Sequence, residues 1–192
     1  MPEEKKVHIT ELKKGNAQQI RLYVAMYADP IYQVCLSYVF NHNDAEELTQ
    51  DVLMAGLDKL EKFEGKSSLK TWLHRIAVNK SLDFLKYKRR KKRAHKMIPL
   101  INYGEDSYGA EIADTWHPGV QLESQEQMAA LYHALEALPD RQRTALTLSK
   151  LEGRSQREVA EIMEIHIKAV ESLLQRAKKN LKKKLIQIFE QG

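Results

Sequence analysis

Apolar residues in the first half of the chain recur at the three- and four-residue spacing of an α-helix. We expect one helix to begin at Asn43, whose side chain would cap it together with Glu46 three residues later. Its buried stripe consists of Leu48, Val52, Leu53, Ala55, Leu57 and Leu60. Residues 63–68 interrupt this period, and a second helix follows. The second helix would bury Trp72, Leu73, Ile76 and Ala77 and expose a mostly basic surface of Lys70, His74, Lys80 and Lys86.

The second half of the chain has the pattern of a helix, a three-residue turn and another helix. One helix is expected to end just before Pro139, and the next to stop at Gly153 in a left-handed conformation. Ser155 and Glu158 have the spacing of a capping box, which predicts a short helix that ends near Met163. After residues 164–166, a long helix is predicted from about residue 167 to 188. Successive helices joined in this way are typical of DNA-binding proteins.

Composition and charge divide this helical chain into two parts. Glycine (8) and proline (5) are scarce among the 192 residues, which favours helix. Eight of the eleven residues 86–96 are Lys or Arg, whereas residues 105–127 include six acidic side chains and no Lys or Arg. We therefore predict an all-α fold of two small helical domains, at 1–97 and 126–192. A flexible acidic linker at 98–125 would join them, and the second domain would contain the helix-turn-helix.

Several functional classes are excluded by what the sequence lacks. Cys35 is the single cysteine, the seven histidines are scattered, and neither an HExxH pair nor a phosphate-binding glycine loop occurs. We expect no catalytic residue, no metal site and no cofactor, so the protein should not be an enzyme. No apolar run approaches the ~20 residues of a membrane span, and the N-terminus lacks the apolar core of a secretory signal. We therefore expect a cytoplasmic protein without membrane insertion.

Three surfaces are candidates for binding. On the last helix, Lys168, Ser172, Gln175, Arg176 and Lys179 share one face, which favours contact with the major groove of DNA. The alternative is a helical hairpin with a solvated basic face. The segment FEGKSSLKTWLHRIAVN (63–79) combines aromatic rings with cations, as single-stranded DNA requires, but pattern alone favours Phe63 and Trp72 as core residues. The acidic helix at 44–61 could meet a basic partner, but the residues alone favour a solvated helix face.

These segments together resemble one protein family. DAEELTQDVLMAGLDKLEKFEGKSSLKTWLHRIAVNKSLDFLKYKRRKK (44–92) resembles region 2 of ECF sigma factors, and LPDRQRTALTLSKLEGRSQREVAEIMEIHIKAVESLLQRAKKNLKKKL (138–185) resembles their region 4. The two segments cover about half of the chain, in the order and with the linker of that family. The resemblance implies a factor that binds core RNA polymerase and directs promoter recognition, DNA melting and transcription initiation.

The resemblance also implies which residues make each contact. Core polymerase, through its β′ clamp helices, would be bound by Asp44, Glu46, Glu47, Gln50 and Asp51. The −10 promoter element would be bound by Gly65, Lys66, Ser67, Ser68, Lys70, Thr71, Trp72, Arg75, Asn79 and Lys80. The −35 element would be bound by Arg157, His166, Lys168, Ala169, Ser172, Gln175, Arg176 and Lys179. The segment from Leu138 would rest on the polymerase β flap, and an anti-sigma factor would hold the protein inactive.

The chain departs from the family pattern in the turn and in the last helix. Glu164 stands where glycine is usual, which would cost about 1 kcal/mol if the residue is left-handed. His166 occupies a position where a Ser or Thr cap is common, and Glu171 and Leu173 replace basic residues. We therefore expect an altered −35 sequence preference. Two other functional classes stay open from the residues alone: a conventional helix-turn-helix regulator that acts without polymerase, and an adaptor that binds only protein.

Overall fold

The computed structural model describes residues 7–96 and 122–190, which form helices and turns without a β-strand. The first domain begins with a short helix and continues with three longer ones. They are α1 (Ile9–Lys13), α2 (Ala17–Val39), α3 (His42–Asp58), a 3-10 turn (Leu60–Lys62) and α4 (Leu69–Lys96). The second domain contains α5 (Leu122–Glu136), α6 (Asp140–Leu146), a π-helical turn (Thr147–Leu151), α7 (Gln156–Met163) and α8 (Ile167–Phe189). The predicted all-helical fold of two domains is confirmed.

Polar side chains fix where the helices of the first domain begin. Asn16 accepts hydrogen bonds from the first amides of α2, and Ser68 accepts one of 3.0 Å from Thr71 N at the start of α4. The cap of α3 is Asn41, whose Oδ1 accepts a hydrogen bond of 2.9 Å from Asp44 N. The prediction of a cap at Asn43 is therefore wrong by two residues. Both asparagines satisfy the sequence rule for a cap, and only the chain path chooses between them.

The core of the first domain lies where α2, α3 and α4 cross. Tyr23, Val52 and Leu73 are fully buried, and the apolar stripe predicted for α3 faces this core. Gly56 allows α3 to approach closely, because a Cβ there would lie 2.6 Å from Leu73 Cδ2. The expectation that His74 is exposed is wrong: its side chain is 1% exposed. The histidine faces the second domain, whose position the helical period cannot indicate.

The second domain follows the sequence prediction closely. Ser155 forms a complete capping box with Glu158, and Gly153 adopts a left-handed conformation (φ 66°). Val159 of α7 and Val170 and Leu174 of α8 are buried in the same core where the two helices pack together. The predicted linker at 98–125 falls largely on residues 97–121, which lie outside the described residues. Helix α5 begins at Leu122, so the last four residues assigned to the linker are helical.

The two domains pack against each other, an arrangement that the sequence analysis did not anticipate. Arg143 of α6 reaches into the first domain, where its Nη2 donates a hydrogen bond of 2.6 Å to Tyr38 O. The rings of Phe40 and Tyr132 meet edge to face with centroids 5.1 Å apart. Helix α4 lies along α7, which brings the first domain beside the helix-turn-helix.

Candidate nucleic-acid interface

The turn between α7 and α8 orients the candidate DNA-reading helix. Glu164 ends α7 in a left-handed conformation (φ 54°, ψ 48°), and Ile165 N donates a hydrogen bond of 3.0 Å to Ala160 O. The left-handed geometry that makes glutamate costly at this position is therefore present, at about 1 kcal/mol. Helix α8 follows His166, whose side chain makes no capping hydrogen bond. Such a turn lets the amino end of α8 project from the domain, as the helix-turn-helix motif requires.

The face of α8 that was predicted to read DNA is presented to solvent. Lys168, Gln175, Arg176 and Lys179 are exposed, and Ser172 and Ala169 are half-buried. Arg176 Nη2 donates a hydrogen bond of 3.0 Å to Ser172 Oγ, which holds the guanidinium against the helix. Arg157 and His166 are exposed on the adjacent α7 and turn. All eight −35 candidates therefore lie on α7, α8 and the turn between them, and the Lys and Arg side chains among them are exposed.

The loop before α4 carries one exposed cation beside a left-handed glycine. Gly65 takes a left-handed conformation (φ 72°), and Lys66 projects with its side chain 84% exposed, paired with Glu64. This pairing raises the pKa of the Lys66 ammonium, chiefly through the hydrogen bond to the carboxylate. Ser67 is half-buried, and Ser68 is occupied as the cap of α4. The loop thus offers backbone groups and a lysine to solvent.

The aromatic residues beside this loop belong to the domain core, as the helical period favoured. Phe63 is buried, and its ring lies 5.2 Å from that of Trp72. Trp72 is half-buried, so one edge of the indole reaches the surface beside the loop. Trp72 therefore anchors α4 and borders the candidate −10 surface at the same time.

The remaining −10 candidates lie along α4 and differ in exposure and in whether an ion pair engages them. Lys70 and Asn79 are exposed, and Thr71 is half-buried at the first turn of α4. Lys80 pairs with Asp51 of α3 at 2.9 Å. Arg75 pairs with Glu164 of the second domain at 2.7 Å. Together with Lys66, three of the four cations assigned to the −10 surface are thus paired with carboxylates in the structure.

The acidic face of α3 was the candidate polymerase-binding surface. Glu46, Glu47 and Gln50 are exposed. Asp44 instead pairs with Lys88 of α4, and Asp51 pairs with Lys80, so both carboxylates brace α3 against α4. Of the five predicted residues, three therefore face solvent and form no ion pair within the described ranges. The other two form ion pairs that join α3 to α4.

A buried polar cluster between the domains was missed by the sequence analysis. Arg154 Nη2 donates a hydrogen bond of 2.7 Å to His74 Nε2, and His74 Nδ1 donates one of 2.9 Å to Lys70 O. Glu152 lies beside them, with Arg154 Nε at 3.6 Å. Burial lowers the pKa of His74 to about 4 and raises that of Glu152 to about 7. The imidazole is therefore neutral and accepts the arginine hydrogen bond. No sequence signal marks this contact, because its residues come from different domains.

The part of the chain that the structure describes offers neither a metal site nor a membrane-spanning helix. There, no three His, Cys, Asp or Glu side chains converge in a way that could hold a metal ion. None of the helices in residues 7–96 and 122–190 has the length and apolar character needed to cross a membrane.

Both helical domains match known protein families. Residues 23–91 match the family described as Sigma-70 region 2, and residues 128–181 match Sigma-70, region 4. The chain is 28% identical over 183 residues to the ECF RNA polymerase sigma factor SigW of Bacillus subtilis, covering 94% of this chain and 96% of that protein. It is 27% identical to the ECF RNA polymerase sigma-E factor of Escherichia coli K12, covering 93% of each.

The chain belongs to the ECF sigma factor family. Solved structures agree on the fold. CnrH in complex with the cytosolic domain of CnrY aligns with a TM-score of 0.60 and 21% identity, covering 93% of this chain and 95% of that chain. The sigma factor RpoE of Bartonella quintana, in complex with the anti-sigma factor NepR, aligns with a TM-score of 0.56 and 24% identity, covering 86% and 95%. The two family regions of this ECF sigma factor coincide with the two helical domains described above.

Proposed function

We propose that this ECF sigma factor binds core RNA polymerase and directs it to promoters, with the first domain at the −10 element and the second at the −35 element. The observation that carries this proposal is the joint presence of a region 2 domain and a region 4 helix-turn-helix with an exposed basic face. The chain would contribute recognition and DNA melting without chemistry of its own. It would act in the cytoplasm, where the polymerase and its promoters are found.

Recognition of the −10 element is assigned to the loop at 65–68 and the exposed edge of α4. Lys66 and Lys70 supply cations for phosphate, and the left-handed Gly65 exposes backbone groups at the tip of the loop. Extruding one base costs a few kcal/mol, which contacts in a loop of this kind can offset. Replacing Lys66, Ser67 and Ser68 should change the preferred −10 base and leave −35 binding intact. Permanganate footprinting that finds melting and base preference unaltered would contradict the assignment.

Binding to core polymerase is assigned to the solvent-facing part of α3. Glu46 and Glu47 are exposed and take part in none of the ion pairs within the described residues, so they are available to a basic partner. The substitution Glu47→Lys should weaken association with core enzyme, because it places a like charge at the contact. Asp58→Lys provides a matched control, since Asp58 is an exposed acid at the far end of the same helix.

A run-off transcription assay tests the whole proposal. Core polymerase with the chain added should initiate at a promoter that core enzyme alone ignores, and Glu47→Lys should lower the yield more than Asp58→Lys. If neither variant changes core binding while both fold, the acidic face is not the contact. Tight sequence-specific binding of duplex DNA by the chain alone, with no response to polymerase, would instead favour a conventional regulator.

An anti-sigma factor is the second partner that we assign to this chain. In one similar solved structure, the sigma factor RpoE is bound to the anti-sigma factor NepR. That structure aligns with 86% of this chain, which supports an anti-sigma factor as a partner here as well. Purification of the tagged chain from its native cell, with and without competing core polymerase, would identify the protein that exchanges with polymerase.

A further inference from the structure

The contact between Arg75 and Glu164 gives a reason for a residue that local structure disfavours. Glycine at 164 would relieve the left-handed strain, and within its own domain the Glu164 side chain makes no ion pair among the described residues. Its carboxylate instead accepts a hydrogen bond of 2.7 Å from Arg75 Nη1, across the domain boundary. Arg75 Nη2 also donates one of 2.8 Å to Glu161 O in the last turn of α7, where the helix dipole favours a cation.

This contact is incompatible with the use of both DNA-binding surfaces at once. Promoter elements at −10 and −35 lie about 25 base pairs apart, which is roughly 85 Å along B-form DNA at 3.4 Å for each pair. Lys168 of the −35 surface is four residues beyond Glu164, so at most about 14 Å of chain separates it from the contact with Arg75. The two surfaces therefore cannot reach their elements until the domains part.

The remaining interdomain contacts combine buried hydrogen bonds with buried donors that lack a partner within the described residues. Ser37 and His74 of the first domain meet Glu152 and Arg154 of the second in the buried cluster. The Arg143 side chain is 1% exposed, yet its Nε and Nη1 lack a hydrogen-bond partner in the described ranges. Burial of unpaired donors opposes closure, because both atoms would regain water when the domains separate.

We propose that the ion pair of Arg75 with Glu164 is a latch that holds the free protein closed, with a −10 contact residue masked by the −35 domain. Opening of this latch would precede or accompany the binding of polymerase. The consequence for promoter binding rests on the function proposed above, whereas the latch itself does not. The carboxylate at the end of α7, where glycine would be less strained, thus adds one contact that favours the closed state.

Distance measurement by double electron–electron resonance tests the latch in the full chain. Spin labels at Lys59→Cys and Lys183→Cys place one probe on an exposed site of each domain, and the native Cys35 is buried. The unsubstituted protein should give one narrow, short distance. Glu164→Arg should raise the ratio of open to closed molecules roughly tenfold, because a lost surface pair and a new repulsion of similar size each contribute about twofold to fivefold.

Three further variants separate the latch from general effects. Glu171→Arg makes the same charge change on an exposed site of α8, and it should leave the distance unchanged. Exchange of the partners, with Arg75→Glu added to Glu164→Arg, should restore the short distance. Glu164→Gly should open the domains by about twofold to fivefold without lowering the melting temperature of the second domain, since it relieves the left-handed strain.

The outcomes separate cleanly. A broad, long distance in the unsubstituted protein would overturn the proposal, as would a Glu164→Arg distance equal to that of the Glu171→Arg control. Failure of the chain to bind polymerase or promoter DNA would count against the proposed function alone, because the distance measurement uses neither.

Discussion

Gly56 provides a sharp test of how the first domain is packed, because two opposing effects act on one substitution. Gly56→Ala adds a methyl group to the middle of α3, where helix propensity alone would stabilise the protein by about 1 kcal/mol. The added Cβ, however, would overlap the Tyr23 hydroxyl and lie 2.6 Å from Leu73 Cδ2. Both neighbouring side chains are fully buried, so neither can swing into solvent to make room.

The magnitude follows from these contacts. Overpacking a core costs about 1–3 kcal/mol. Displacement of Tyr23 also threatens the hydrogen bond of 3.1 Å that its hydroxyl donates to Leu53 O, worth about 0.5–1.5 kcal/mol. After the gain in helix propensity is subtracted, the free energy of unfolding should fall by about 1–3 kcal/mol. The substitution leaves the acidic face of α3 unchanged. Binding to core polymerase should therefore weaken only in proportion to the fraction of molecules that unfold.

Urea denaturation followed by circular dichroism measures this change, with Tyr23→Phe as the partner variant in a double-mutant cycle. Removal of the hydroxyl should cost about 1 kcal/mol by itself. In that background Gly56→Ala should cost about 1 kcal/mol less than in the unsubstituted protein, because one of the two overlapping groups is gone. The packing argument is refuted if Gly56→Ala stabilises the domain, as helix propensity alone predicts, or if the two substitutions are additive.

Four other substitutions test the DNA-reading helix, the cap of α7 and the buried cluster. Arg176→Ala should cost about 1–3 kcal/mol of binding free energy on the cognate −35 duplex and relax base preference, whereas Lys179→Ala should weaken binding to all sequences alike and reduce the salt slope by about one. Titrations on matched and scrambled duplexes distinguish the two. Equal losses on both duplexes for Arg176→Ala would make Arg176 a phosphate contact. Ser155→Ala should lower the unfolding free energy by about 1 kcal/mol through loss of the capping box, with the midpoint in urea as the readout. The folded pKa of His74 is depressed to about 4, so its contribution to stability is present above pH 6.5 and is lost as pH falls toward 4. The folded pKa of Glu152 is raised to about 7, so its contribution is present at low pH and is lost as pH rises through 7. His74→Gln should therefore leave a protein whose stability rises as pH falls from about 7 to 4.5. If the variant loses stability over that range, Glu152 is not a buried carboxyl with a raised pKa.

The sequence by itself determined the local structure of this protein. The capping box at Ser155 and the left-handed Gly153 each depend on residues at most a few positions apart, so local rules were sufficient to predict them. The same holds for the exposed basic face of α8, which follows from helical spacing. The cap of α3 at Asn41 was missed only because two asparagines met the same rule.

The sequence also determined the family, because two loosely matching segments occur in one chain in the expected order. Each segment alone is a helical pattern with an alternative explanation as core or solvated surface. Their combination restricts the choice to one class of protein, and the matches to regions 2 and 4 confirm it. Which side chains touch polymerase or promoter stays a prediction that the experiments above address.

Only the tertiary structure decided how the two domains meet. His74 was expected on the surface and is buried, because the second domain covers that side of α4. The hydrogen bonds of Arg75 to Glu164, Arg154 to His74 and Arg143 to Tyr38 join residues 89, 80 and 105 positions apart in the chain. Helical periodicity reports which face of a helix is apolar, but a polar face carries no mark of whether water or another domain will cover it. Burial of these polar side chains is decided by the distant groups that satisfy their hydrogen bonds, and those groups come together only when the domains pack.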